Sequence, residues 1–167
     1  VCEKCWLVQT LDFTGREVLF DENYAYFSSF SSSWLAHAKN IVETAINRLG
    51  LNNQSKGVEV ASNDGYLLQY VASAGIPCFG VEPTHSTAQA AREKGIEVFE
   101  EFFGTAYAQK LKGTEGAVDL LIANNVLAHV PDINDFVSGV ATLLKEDGVA
   151  SFEFPHLLNM VRENQFD

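Results

Sequence analysis

From Trp34 onward, apolar residues return every three or four positions: Trp34, Ala38, Ile41, Ala45 and Leu49, with Leu35, Val42 and Ile46 beside them. That period lays one apolar stripe along a helix. Ser33 is placed to cap its first turn and Gly50 to end its last, so a helix is predicted over 34–49. Beyond the polar stretch 52–57 the rhythm changes. Short apolar runs at 58–61, 77–82, 96–99, 118–123 and 148–154 read as strands. Between them lie helical stretches at 65–74, closed by Gly75, at 85–94, closed by Gly95, and at 104–111. A further helix is capped by Asp132, and its Ile133, Phe136, Val137, Val140, Leu143 and Leu144 share one stripe.

Strands that alternate with helices, each too apolar to show a wet face, imply a parallel sheet covered on both sides. Right-handed crossovers then make it doubly wound. The predicted fold class is therefore α/β: a doubly wound, mostly parallel sheet of about five strands, Rossmann-like, preceded by a lead-in. Residues 1–33 differ from the rest. Tyr24, Tyr26, Phe27 and Phe30 are interleaved with Ser28, Ser29, Ser31, Ser32 and Ser33, a pattern with no helical period and a bias toward turns and caps.

Composition narrows the function classes. Eleven Lys and Arg stand against 22 Asp and Glu, a formal charge of −11, which disfavours nucleic-acid partners because backbone binding needs positive charge. No apolar run is long enough to span a membrane, and no signal peptide is visible. Three cysteines form no disulfide framework and point to a reducing cytoplasm. Cys2 and Cys5 make a Cys-x-x-Cys pair at the very start, and a chain that begins on such a motif reads as a piece of a longer protein.

In a doubly wound sheet the informative residues follow the strands at their carboxyl ends. After the first strand comes Ala61-Ser62-Asn63-Asp64-Gly65, a turn of small residues without the three spaced glycines that accommodate a pyrophosphate. A ligand that needs close backbone approach but carries no pyrophosphate suits it better, although Asn63 or Asp64 would also serve as a plain helix cap. The second strand ends in Glu82, where a carboxylate can accept from both hydroxyls of a ribose; a carboxylate merely facing water is the alternative.

Three segments, Glu59-Val60-Ala61-Ser62-Asn63-Asp64-Gly65-Tyr66-Leu67-Leu68, Gly80-Val81-Glu82-Pro83 and Ala123-Asn124-Asn125-Val126-Leu127-Ala128-His129-Val130-Pro131-Asp132, resemble class I S-adenosylmethionine-dependent methyltransferases. More narrowly, they resemble the sugar C-methyltransferases that act on nucleotide-linked keto-deoxysugars. Cys2 to Gln9 is similar to the last Cys pair of that family's N-terminal zinc module. Tyr24 to Ser31 is similar to the tyrosine and serine segment that follows it, and Glu153-Phe154-Pro155-His156 to a segment after the fifth strand.

The resemblance implies two units: residues 1–33 as the end of a zinc module with its linker, and 34–167 as a cofactor core truncated at its C-terminus. It implies S-adenosylmethionine as cofactor, with zinc held by Cys2, Cys5 and further ligands in the full-length protein. Ala61, Asn63 and Gly65 would line the methionine end through their backbone, and Glu82 the ribose. Glu101, Phe102 and Phe103 would wall the adenine, one of the two phenylalanines serving as core instead. Asn124 and Asn125 would face the amino-acid portion and the sulfonium. The implied substrate is a nucleotide-linked sugar.

Methylating a carbon beside a ketone requires a base to remove its proton, and donors for the enolate. Tyr24, Tyr26, His129 and His156 are the candidates, each with a packing or capping alternative. His37, beside its helix's apolar stripe, reads as structural. The family's presumed base belongs to a Tyr-His-Glu-His segment past Asp167. An oxygen- or nitrogen-methyltransferase of the same fold, or a module that binds the cofactor without turnover, are the alternatives.

Overall fold

The computed structural model of the chain describes residues 1–6, 8, 15 and 26–164. Five strands form one sheet: β1 (Gly57–Val60), β2 (Cys78–Val81), β3 (Glu97–Phe99), β4 (Val118–Asn124) and β5 (Leu144–Glu153). Their order is β3-β2-β1-β4-β5 and every pairing is parallel. Strand order reverses between β1 and β4, which puts the binding crevice beyond their carboxyl ends.

Among the described residues six α-helices flank the sheet: α1 (Ser32–Leu49), α2 (Leu68–Ser73), α3 (His85–Glu93), α4 (Thr105–Thr114), α5 (Ile133–Leu143) and α6 (Leu157–Glu163). The sheet separates two apolar layers. On one face Ala38 and Val42 of α1 pack with Leu68, Val71, Ala88, Ala91 and the inward side chains Val98, Leu120 and Ile122. On the other, Val58, Val60, Phe79 and Val81 meet Leu111 of α4 and Phe136, Val140 and Leu143 of α5. Burial of every residue of β1 is what a central parallel strand requires.

Several boundaries differ from the sequence reading. The cap of α1 is Ser31, whose hydroxyl accepts from the Trp34 N–H, so the helix starts before Ser33. The helix expected over 65–74 begins only at Leu68, because Ala61, Asn63 and Gly65 all take left-handed backbone and delay any right-handed turn. β5 starts at Leu144, which pairs with Val118, and crosses the polar 145–148 with a break in register against β4. α6 was not anticipated; it follows Pro155 and leaves Leu157, Leu158 and Val161 exposed. Two single turns of 3-10 helix complete the described elements: Ser28–Phe30, in the lead-in read as irregular, and Leu127–His129, between β4 and α5.

Candidate functional site

The turn after β1 is drawn against the end of β2. Both Ala61 N–H and Ser62 N–H donate to the Val81 carbonyl, and Gly65 N–H returns to the Ser62 carbonyl. Left-handed φ values at Ala61 (57°), Asn63 (49°) and Gly65 (74°) fold the backbone tightly enough for a ligand to approach the main chain. Gly65 is required twice: its φ is positive, and a Cβ there would stand 2.5 Å from Ile96 Cδ1 and 3.2 Å from Ala91 Cβ. Its absent side chain lets α3 and β3 close against the turn.

Glu82 is buried just beyond β2, and its carboxylate organises this turn. Oε2 accepts from the Asn63 N–H at 2.9 Å; Oε1 accepts from the Thr84 N–H at 3.0 Å and the Thr84 hydroxyl at 2.6 Å. A carboxylate has about four acceptor positions. Three are therefore filled by the protein, and the open one, on Oε2, is available to a ligand hydroxyl.

A second buried carboxylate was quoted in the sequence motif but given no role. Glu59 lies on β1, fully buried; neither oxygen has a partner at full hydrogen-bond geometry, and the Tyr66 hydroxyl nearby only partly offsets the burial. Burial pushes its pKa well above the usual carboxylate range, and the carboxylates of Glu82 and Asp64 push the same way. The signal was legible: a charged residue in the middle of an otherwise apolar strand. Around it, Ser62 Oγ, Asp64 Oδ1 and Asn124 Oδ1 are also buried without partners. Asn124 Nδ2 reaches the Tyr66 hydroxyl at 3.4 Å, and burial, with Glu59 adding to it, raises the Tyr66 pKa. These unpartnered oxygens belong to β1, the turn after it and the end of β4, where acceptors suit an ammonium or a sulfonium.

Asn124 closes β4, and Asn125 follows in left-handed backbone (φ 53°), its N–H donating to the Glu153 carbonyl at 2.7 Å. Past β3, Glu101 bends back to accept from the Phe102 N–H. Together with Phe102, Phe103, Tyr107, Lys110 and Asp135 it lines a cleft of about 410 Å³. Phe102 is half-buried there, whereas Phe103 packs edge-on against Phe136 at 5.4 Å within the core.

Of the four candidates for proton transfer, the three described ones stand on separate segments of the chain. Tyr24 lies outside the described residues. Tyr26 is exposed, but its carbonyl accepts from the Asn63 side chain. His129 is exposed in the 3-10 turn after β4. His156 is exposed and caps α6, its side chain accepting from the Asn159 N–H. His37, read as structural, pairs across the carboxyl edge of the sheet, where its Nε2 meets both oxygens of Glu153 at 3.0 and 2.9 Å. Trp34 lies over both the His37 and Tyr66 rings.

Cys2 and Cys5 are free and exposed on one turn, closed by Trp6 N–H to the Cys2 carbonyl. Backbone N–H groups of Cys5 and Lys4, with the Cys5 side chain, lower the Cys2 pKa, a setting that favours the thiolate a metal binds. Among the described residues no group of three or more His, Cys, Asp or Glu side chains is arranged to hold a metal.

Known proteins share this arrangement. The model of the methyltransferase domain family matches residues 58–152, more than half of the chain, and the chain belongs to that family: its fold and crevice are those of a class I S-adenosylmethionine-dependent methyltransferase. Its sequence is 32% identical, over all 167 residues, to the C-methyltransferase NovU of Streptomyces niveus, and spans 40% of that protein's length. Among solved structures, the PH0226 protein of Pyrococcus horikoshii shares the fold with a TM-score of 0.64 at 18% identity, over 83% of this chain and 62% of that one. Magnesium protoporphyrin IX methyltransferase from Synechocystis, solved with bound S-adenosylmethionine, superposes with a TM-score of 0.56 at 15% identity, over 77% and 64% of the two chains.

Proposed function

We propose that this chain is the cofactor core of a C-methyltransferase whose acceptor is a nucleotide-linked keto-deoxysugar. The observation that carries the reading is the match of all 167 residues, at 32% identity, to 40% of the length of NovU, a C-methyltransferase. Support also comes from a crevice rich in buried acceptors, which suits a cofactor bearing a sulfonium and an ammonium. In this reading the turn Ala61, Asn63, Gly65 receives the methionine end through its backbone, and the open position on Glu82 takes a ribose hydroxyl. Glu101 and Phe102 border the adenine, while Asn124 and Asn125 face the reacting end. Phe103 acts through the core that shapes the adenine wall.

The reaction removes a proton beside the sugar ketone. The resulting enolate carbon then forms a bond to the methyl group as the bond from methyl to sulfur breaks, its electron pair returning to sulfur. His129, His156, Tyr24 and Tyr26 are the chain's own candidates for moving the proton or holding the enolate. Residues 1–33 close a zinc module, with Cys2 and Cys5 as two of its four ligands, and 34–167 form the core. The free cysteines suit a cytoplasmic enzyme; among the described residues no helix is long and apolar enough to cross a membrane.

The test is incubation of the complete gene product with S-adenosylmethionine carrying a carbon-13 methyl group and a panel of nucleotide-linked keto-deoxysugars. A new carbon-bound methyl resonance is expected, with deuterium from solvent water exchanged into the position beside the ketone. A methyl group found on oxygen or nitrogen would overturn carbon as the acceptor. Transfer to no keto-sugar would overturn the substrate class.

A further inference from the structure

The lead-in is fastened to the cofactor turn chiefly through Asn63. Asn63 is buried, with its backbone N–H on Glu82 Oε2. Its side chain points the other way and makes two bonds to the lead-in: Nδ2 donates to the Tyr26 carbonyl at 3.0 Å, and Oδ1 accepts from the Ser28 N–H at 2.9 Å. One amide therefore pairs with the main chain on both sides of Phe27, as a neighbouring strand would. The Ser29 hydroxyl adds a bond to the Asp64 carboxylate, which Lys94 Nζ also reaches at 3.2 Å. Phe27 stacks on Phe30 at 5.5 Å and holds the turn that presents these groups.

Residue choice at position 63 satisfies two demands at once. The backbone is left-handed (φ 49°), which among residues with side chains Asn and Asp tolerate best. Glycine would meet that demand as well but has nothing with which to hold the lead-in. Aspartate would accept from Ser28 yet could not donate to Tyr26. Only an amide in left-handed backbone serves the Glu82 carboxylate, the Tyr26 carbonyl and the Ser28 N–H together.

We propose that Asn63 is a positioning residue that couples occupancy of the cofactor site to placement of the lead-in. A ligand on the turn and on Glu82 fixes the backbone of Asn63; that fixes its amide, and the amide seats Tyr26 to Ser29 against the turn. Coupling is reciprocal, so loss of the clamp weakens the cofactor by the factor that the cofactor no longer adds to lead-in order. The consequence is a lead-in whose order depends on an occupied cofactor site. The inference rests on cofactor binding at this turn and is independent of which acceptor is methylated.

Hydrogen–deuterium exchange on the complete gene product, with and without saturating S-adenosylhomocysteine, reads the coupling directly. In the wild type, exchange across 26–31 is expected to slow by about tenfold or more on saturation, as for a segment that opens locally. Asn63→Gly keeps the backbone conformation and removes both side-chain bonds. It should still bind S-adenosylhomocysteine, with weaker affinity, while the ligand-dependent slowing at 26–31 disappears. Ser29→Ala, outside the turn, should reduce the slowing in part and guards against a glycine variant that folds poorly. A purely structural Asn63 would lower the melting temperature yet leave the ligand-dependent slowing intact, and that result overturns the coupling. So does a wild type that binds the ligand without any change at 26–31. A wild type that binds no S-adenosylhomocysteine overturns the cofactor site, and the coupling with it.

Discussion

Replacing Glu82 by alanine separates its service to a ligand from its service to the fold. In the native chain three of its acceptor positions are taken by Asn63 N–H, Thr84 N–H and the Thr84 hydroxyl. One position on Oε2 remains. A hydroxyl bonded to an ionised carboxylate contributes roughly 1.5–3 kcal/mol, so Glu82→Ala should weaken S-adenosylhomocysteine about 10- to 150-fold. The same substitution leaves two buried N–H groups without their acceptor, and each costs about 1–3 kcal/mol of stability. The assay must therefore pair calorimetric titration with urea denaturation, so that affinity is read on folded protein. Thr84→Ala supplies the control: it opens a second position on Oε1, and affinity should hold or rise, because both ribose hydroxyls can then be received. If folded Glu82→Ala binds within about threefold of the wild type, the carboxylate is only a latch for the turn and the ribose assignment fails.

Three further outcomes follow from other positions. Glu59 has a raised pKa from burial, so the folded chain keeps a proton that the unfolded chain releases above about pH 4.3. Stability should thus fall as pH climbs from there toward the raised native value. Glu59→Gln should remove that slope, being more stable than wild type near pH 7 and level with it below pH 4; parallel urea midpoints across pH would refute the buried, uncompensated carboxyl. Gly65→Ala combines a left-handed alanine with a Cβ 2.5 Å from Ile96 Cδ1, and roughly 2–4 kcal/mol of destabilisation is expected; thermal melts unchanged within about 2 °C would refute the close approach. His156→Ala should lower turnover of the complete enzyme while S-adenosylhomocysteine affinity stays intact, with about 0.5–1 kcal/mol lost from the cap of α6. Unchanged turnover would leave His156 as a helix cap alone.

How much of this was legible in the sequence depends on whether the determining contact is local. The alternation of β and α elements was legible because a strand covered on both faces must be apolar throughout, and β1 is buried at every residue. The stripe of α1 was legible because Ala38 and Val42, one turn apart, face the same core. Glu82 was legible since an acidic residue directly after an apolar strand has one place to go in a doubly wound sheet. The late start of α2 was not, because nothing in the helix propensity of 65–67 reports that Ala61, Asn63 and Gly65 are left-handed; the Val81 carbonyl and Glu82 impose that from another strand. The partner of His37 was not legible for a related reason: its helical period puts it beside the stripe, but Glu153 lies 116 residues away. The lead-in shows the limit most clearly. Its serines and aromatic residues announce turns and nothing more, while the bonds that give Tyr26 and Ser28 a place are made by Asn63, a residue whose own sequence context announces only a turn of its own. Two segments that each look irregular become ordered by meeting, and they meet at the turn that follows β1.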